Sequence, residues 1–213
     1  QYCNLRTLKS YKMNKFFKLF LIALATLSIV SCTSNSTAET EELRDYKVQY
    51  KADLDSIDKY IDTHYFTVDG DYNVTMAKIP TGGTQQSIRQ QTQFPLLNKT
   101  IYVEEHDVTY KVYYLKLREG TNKRPSIADS IHVSYRGTLL TDTQFDYSQN
   151  PIWFQMQDVV SGWGVIIPEF KTGTYDTAAG PNPVNFQNYG AGVMFLPSGL
   201  AYYQNSSPTG SFG

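Results

Sequence analysis

Between Glu41 and Thr63 the apolar positions Leu43, Tyr46, Tyr50, Leu54, Ile57 and Ile61 recur at threes and fours, with acidic and basic residues between them. That spacing predicts an amphipathic helix. It lasts only about three heptads, so a helix packed on its own domain is favoured over one that dimerises or binds a partner protein through residues 41–63. From Ile101 the period drops to two. Val108, Tyr110, Val112 and Tyr114 share one face of a strand, and "EEHD" before them predicts a turn between two strands. "DSIHVSYRGTLL" repeats the alternation with Ile131, Val133 and Tyr135, and Gly137 in it marks a bulge or a close approach. "YGAGVMFLPSGLAYY" adds a buried run from Val193 to Leu196, stopped by Pro197.

Only "DVVSGWGVIIPEFKTG" can hold a helix beyond Gly120. The pattern therefore predicts an α+β fold, an antiparallel β-sheet with one short α-helix on it, preceded by the amphipathic helix. Between these parts, "VDGDYNVTMAKIP" reads as a turn and a short strand, and "TGGTQQSIRQQTQ" as an exposed loop of low order.

Composition narrows the class. In 213 residues, 41% hydrophobic and 14% aromatic content marks a globular, aromatic-rich chain. A formal charge of -1 argues against a nucleic-acid partner, since no basic excess is available to displace counterions from phosphates. The first forty residues carry a separate message. From Met13 two lysines are followed by an apolar run from Leu19 to Val30, then Ser31 and Cys32, the layout of an export signal. The run is short of the roughly 20 residues a membrane span needs.

"SIVSC" resembles a bacterial lipobox, which implies a signal over 13–31, cleavage before Cys32 and lipid on its thiol; an ordinary secretory signal with an incidental cysteine is the alternative. Residues 1–12, with Cys3, then read as upstream translation, and residues 32–40 as a tether. One cysteine would remain, leaving no disulfide and no cysteine-based zinc site.

The chemistry-bearing residues exclude several enzyme classes. There is no phosphate-cradling loop and no nucleophile elbow, and His64, His106 and His132 fall on the helix, a turn and a strand, where each reads as a surface residue. No metal and no cofactor is expected. What stands out is "VVSGWGVII", with a tryptophan between two glycines, and "QFDYS", with Asp146 directly after Phe145. A carboxylate beside a core aromatic needs a hydrogen-bonding partner. An aromatic bowl with one acid and tyrosine hydroxyls at its edge fits a small ligand site.

"VSYRGTLLTDTQFDYS", "VVSGWGVII" and "LPSGLAYY" together resemble, in order and approximate spacing, three signature segments of the FKBP-type peptidyl-prolyl cis-trans isomerases, over about residues 110–213. The resemblance implies an FKBP-like isomerase domain over 101–213 and proline-containing polypeptides as substrates. It implies Trp163 as the floor of a proline pocket, with Tyr135, Phe145, Phe154, Val159 and Val160 as walls and Trp153 as the alternative to Phe154. Asp146 would support the hydrogen-bond network beside Tyr135, and Tyr202 would meet a substrate carbonyl. Gly162 and Gly164 would let the chain turn into the helix with the ring held upward.

With the export signal, the resemblance implies a lipid-anchored folding helper of the bacterial cell envelope; a non-catalytic proline-peptide-binding or assembly module is the alternative. Three features depart from the family pattern. Residues 174–190 are longer than the usual turn, Tyr203 stands where glycine is usual, and the chain stops at Gly213, where the family continues into a last, central strand. The sequence reads as C-terminally truncated.

Overall fold

The computed structural model describes residues 44–175 and 186–203. The signal segment, Cys32 and the tether lie outside them, as do the middle of the 174–190 segment and everything after Tyr203. Helix α1 spans Tyr46–Thr63 and begins at Asp45, whose carboxylate accepts the backbone N–H groups of Lys47 and Val48, a side-chain N-cap. It ends where His64 turns extended and starts β1, His64–Val68, which pairs antiparallel with β2, Val74–Lys78. The tight turn between them is built on Asp69, which accepts from the backbone of Asp71 and Asn73 and from the Asn73 amide, as short polar side chains do in turns.

The centre of the molecule is β4, Val108–Arg118, flanked by β3, Leu96–Val103, and by β9, Ala191–Phe195. Both faces of β4 are covered. Tyr113, Leu115 and Leu117 pack with Ile57, Tyr60 and Ile61 of α1 and with Ile88. Val108, Tyr110, Val112 and Tyr114 pack with Leu200 and with Val165 and Ile166 of α2, Ser161–Ile166. Burying one such aliphatic side chain is worth about 1.5–3 kcal/mol, so this double-sided strand is the main source of cohesion.

A separate ribbon is formed by β5, Ser130–Thr138, and β6, Gln144–Gln155. The short strands β7, Thr174–Tyr175, and β8, Phe186–Gln187, pair within the 174–190 segment. The α+β class holds, with every strand pair antiparallel; the described strands divide among four sheets. The described residues, 44–175 and 186–203, belong to one compact unit.

Several expectations need correction. The stretch after β2 is not a loop of low order. Ser87 and Ile88 are 2% and 0% exposed, the Ile88 N–H donates to the His64 carbonyl at 2.8 Å, and Arg89 forks onto Asp58 and Asp62 at 2.6 Å each. One isoleucine in a polar run found the core. His64 is not a surface residue either: it is buried and stacks on Tyr60 with ring centroids 3.8 Å apart. Of the Val193–Leu196 run, Phe195 alone is fully buried. The apolar side of α1 packs on its own domain, and Val48 is its exposed large apolar residue.

Candidate functional site

Ribbon β5–β6 brings the site residues of the two strands face to face. Its register sets Ile131 opposite Phe154 and Gly137 opposite Asp146, with irregularities between Val133 and Tyr135 and between Gly137 and Thr138. The slips re-aim side chains at a ribbon end. Gly137 serves a close approach. A Cβ there would lie 2.6 Å from the far end of the Phe145 ring, so glycine leaves the room that ring needs. The hairpin turns at Asp142, which holds a left-handed φ of 64°, a conformation that aspartate tolerates.

Across this ribbon the Tyr135 hydroxyl donates to Asp146 Oδ2 at 2.8 Å, while Oδ1 accepts the Tyr147 N–H at 2.8 Å. Both carboxylate oxygens are thus engaged, which resolves the cost of an acid beside Phe145. Burial, and then the Asp146 hydrogen bond, push the Tyr135 phenol up to about 12. The Tyr202 phenol is raised too, by burial first and by the Asp146 charge second. Two protonated hydroxyls and one carboxylate therefore border the same space.

Helix α2 supplies the ring beneath. It has only six residues, is N-capped by Val160 without a side-chain hydrogen bond, and is held by Val165 and Ile166 in the core. The Trp163 ring meets Tyr135 edge-on at 5.5 Å between centroids and Phe154 at 5.7 Å, and Tyr135 meets Phe154 at 5.8 Å. Three mutually edge-to-face rings are a favourable packing. The Phe145 ring meets Tyr202 edge-on at 6.0 Å.

All eight pocket residues singled out from the sequence, Tyr135, Phe145, Asp146, Phe154, Val159, Val160, Trp163 and Tyr202, are half-buried. Trp153, the alternative to Phe154, points away: it is 62% exposed and stacks on His132 at 4.7 Å, and His132 in turn meets Phe186 of β8.

The glycines beside Trp163 act differently from expectation. Neither has a left-handed φ. A Cβ on Gly162 would stand 2.7 Å from Leu196 Cδ2 and 3.1 Å from the Leu200 carbonyl oxygen, whereas one on Gly164 would meet Ile127 at an ordinary 3.6 Å. Gly162 thus lets α2 seat against the segment below it, and Gly164 has no such duty. Sequence reasoning also missed Asp53 and Ser198. The Ser198 N–H donates to Asp53 Oδ2 at 2.8 Å, and the Ser198 hydroxyl donates to the same oxygen. The signal was present: Tyr46, Tyr50, Asp53, Ile57 and Tyr60 fall at intervals of four and three, so an acid occupies one place of the buried stripe.

Residues 121–203 match the profile of the FKBP-type peptidyl-prolyl cis-trans isomerases. The match covers less than half of the chain, and that segment is similar to this family. One relative, the "Probable FKBP-type 25 kDa peptidyl-prolyl cis-trans isomerase" of Pseudomonas aeruginosa, is 28% identical over 102 residues, which make up 48% of this chain and 45% of that protein. Another, the "Probable FKBP-type peptidyl-prolyl cis-trans isomerase FkpA" of Neisseria meningitidis, is 30% identical over 88 residues, or 40% of this chain and 32% of that protein. The chain thus spans less than half the length of either relative.

A solved peptidyl-prolyl cis-trans isomerase from Pseudomonas syringae pv. tomato aligns at 16% identity with a TM-score of 0.35, over 71% of this chain and 91% of its own. The matched segment begins just after β4 and contains every candidate site residue. Among the described residues no helix is long and apolar enough to cross a membrane, and no group of three His, Cys, Asp or Glu could hold a metal ion.

Proposed function

We propose that the protein catalyses cis-trans isomerisation of Xaa-Pro bonds in polypeptides. The observation that carries this is the ring arrangement of Trp163, Tyr135 and Phe154 beside the Tyr135–Asp146 hydrogen bond. Rotation about the amide meets a barrier of about 18–20 kcal/mol because resonance keeps the bond planar, and uncatalysed exchange takes tens of seconds. Water stabilises the charge-separated planar form by hydrogen bonding to the carbonyl. A proline ring lying on Trp163, between Phe145, Phe154, Val159 and Val160, would carry its amide out of water into an apolar bowl.

There the twisted form, with less charge separation, gains relative to the planar one. The Tyr202 hydroxyl donates to a substrate carbonyl and fixes the register of the peptide. Asp146 holds Tyr135 in place across the ribbon. No proton, electron or covalent bond changes hands, which is why the site works without a nucleophile.

The test is an isomerisation assay on a proline tetrapeptide, by protease coupling or NMR exchange, with Trp163→Ala beside the parent. We expect clear acceleration by the parent and a loss of at least about tenfold in the variant, the size of one lost transition-state contact, with the circular dichroism spectrum unchanged. Full activity in a folded Trp163→Ala would sink the pocket assignment. Peptide binding by the parent with no rate enhancement would replace the enzyme with a proline-peptide-binding module.

The export signal and "SIVSC" support a cell-envelope location with lipid on Cys32. Fatty-acid labelling in a bacterial host should mark the parent and spare Cys32→Ser; equal labelling of both would remove the anchor from the proposal.

A further inference from the structure

Helix α1 lies outside the segment that matches the FKBP profile, yet it grips the turn that leads into Tyr202. After β9 the chain passes through buried Pro197 into a 3-10 turn, Ser198–Leu200. The Ser198 carbonyl accepts from Ala201 at 2.9 Å and from Tyr203 at 3.1 Å, so the two neighbours of Tyr202 are both tied to Ser198. Ser198 in turn is tied to α1, because its backbone N–H and its hydroxyl both donate to Asp53 Oδ2. The other Asp53 oxygen accepts the Gln49 amide at 2.7 Å, which keeps the carboxylate from rotating away. Tyr203 extends the grip: its hydroxyl donates to the Arg44 carbonyl and its ring meets Tyr46 at 4.6 Å. A glycine at this position would lack both contacts.

We propose that Asp53 is a positioning residue for the isomerase site: by holding Ser198 it sets where Tyr202 stands relative to Phe145 and Asp146. The proposal rests on the isomerase reading above. Two charge-assisted hydrogen bonds converging on one carboxylate oxygen make a short, strong anchor, and it acts on a one-turn element with few internal bonds of its own. Such a segment opens locally at little cost unless something outside it holds it closed. Substrate contact through Tyr202 matters most as the amide twists, so a loosened turn lowers kcat more than it raises KM.

The experiment compares the parent with Asp53→Ala, Asp53→Asn, Ser198→Ala and, as a control on the solvent side of α1, Asp55→Ala. We expect kcat to fall about tenfold in Asp53→Ala with KM within about twofold, a smaller fall of the same kind in Ser198→Ala, recovery of most activity in Asp53→Asn, and no change in Asp55→Ala. Amide hydrogen exchange supplies a reading independent of activity. The Ala201 and Tyr203 amides should exchange about tenfold faster in Asp53→Ala while the β4 amides keep their protection.

Unchanged exchange at Ala201 and Tyr203, or a kcat loss that only follows the unfolded fraction, would overturn the proposal. If Asp53→Ala does not fold, Ser198→Ala decides by the same two measurements. A parent without isomerase activity would refute the isomerase reading, and the exchange data would then still show whether Asp53 holds the turn.

Discussion

Strand β4 and the β5–β6 ribbon are both antiparallel and rich in tyrosine and β-branched residues, yet they end in opposite states. Along β4 seven of the eleven residues are fully buried, because β3 and β9 pair with its edges while α1 and α2 cover its faces. Along β6 none is. Among the described residues the ribbon pairs only with itself, and its Tyr135 and Phe154 rest edge-on against one ring from α2. The same residue types close into a core where two layers meet over them and stay available to a ligand where only one does. Stability and candidate chemistry are thereby housed in separate elements. A change in either should be felt mainly in one property.

The largest expected effect breaks the cohesive side. Leu115→Ala empties a site with 0% exposure at the middle of β4 and should cost about 2–5 kcal/mol by the usual large-to-small rule, read as a shift in the urea midpoint. A loss under about 1 kcal/mol would mean that β4 is not the centre of the core. Next comes Gly162→Ala, at the joint between the two regions. The added methyl collides with Leu196, which can move, and crowds the Leu200 carbonyl, which cannot. We expect a cost of about 1–3 kcal/mol together with a drop in isomerisation rate, since Trp163 is carried on the same short helix.

The contrast also explains what the sequence could and could not convey. Periodicity exposed α1 and β4 because burial on a face leaves a spacing that can be counted. The candidate site was proposed on another ground: Tyr135, Phe145, Asp146, Trp163 and Tyr202 sit in short segments whose order resembles a known family. Ile88 was not legible, since one isoleucine among glutamines has no period. His64 was hidden by its place at a helix end, where a one-residue difference decides between the surface and a stack on Tyr60. Asp53 was overlooked because a polar residue in an apolar stripe looks like noise until its partner, 145 residues away in sequence, is seen.

A smaller effect sharpens the ribbon side. Tyr135→Phe removes only the hydroxyl that donates to Asp146. Stability should fall by about 1.5 kcal/mol, the low end for a hydrogen bond to a charged acceptor, while kcat/KM falls several-fold. A rate unchanged by this substitution would take the Tyr135–Asp146 bond out of the mechanism. The pH dependence follows the same group. Its pKa is raised in the folded protein, so the stability tied to it is present below the ordinary tyrosine value of about 10 and is lost as pH rises through about 12. Tyrosine ionisation should therefore leave the rate flat through neutral pH, and ultraviolet titration should show one fewer late-titrating phenol in Tyr135→Phe.

The smallest effect is the most discriminating, because its sign is opposite to that of its neighbour. Gly164 sits in the same helix turn as Gly162, but the space beside it holds only Ile127 at 3.6 Å. Ile127 is itself 62% exposed and free to adjust. Alanine there relieves the entropic cost of a helical glycine and should stabilise by about 0.4–1 kcal/mol, raising the thermal midpoint without lowering the isomerisation rate. Were Gly164→Ala instead to abolish activity in a protein that remains folded, the glycine would be needed for close approach of substrate backbone to the Trp163 ring. The pair Gly162→Ala and Gly164→Ala thus separates a glycine required by packing from one required by binding, a distinction that the "GWG" spacing cannot make.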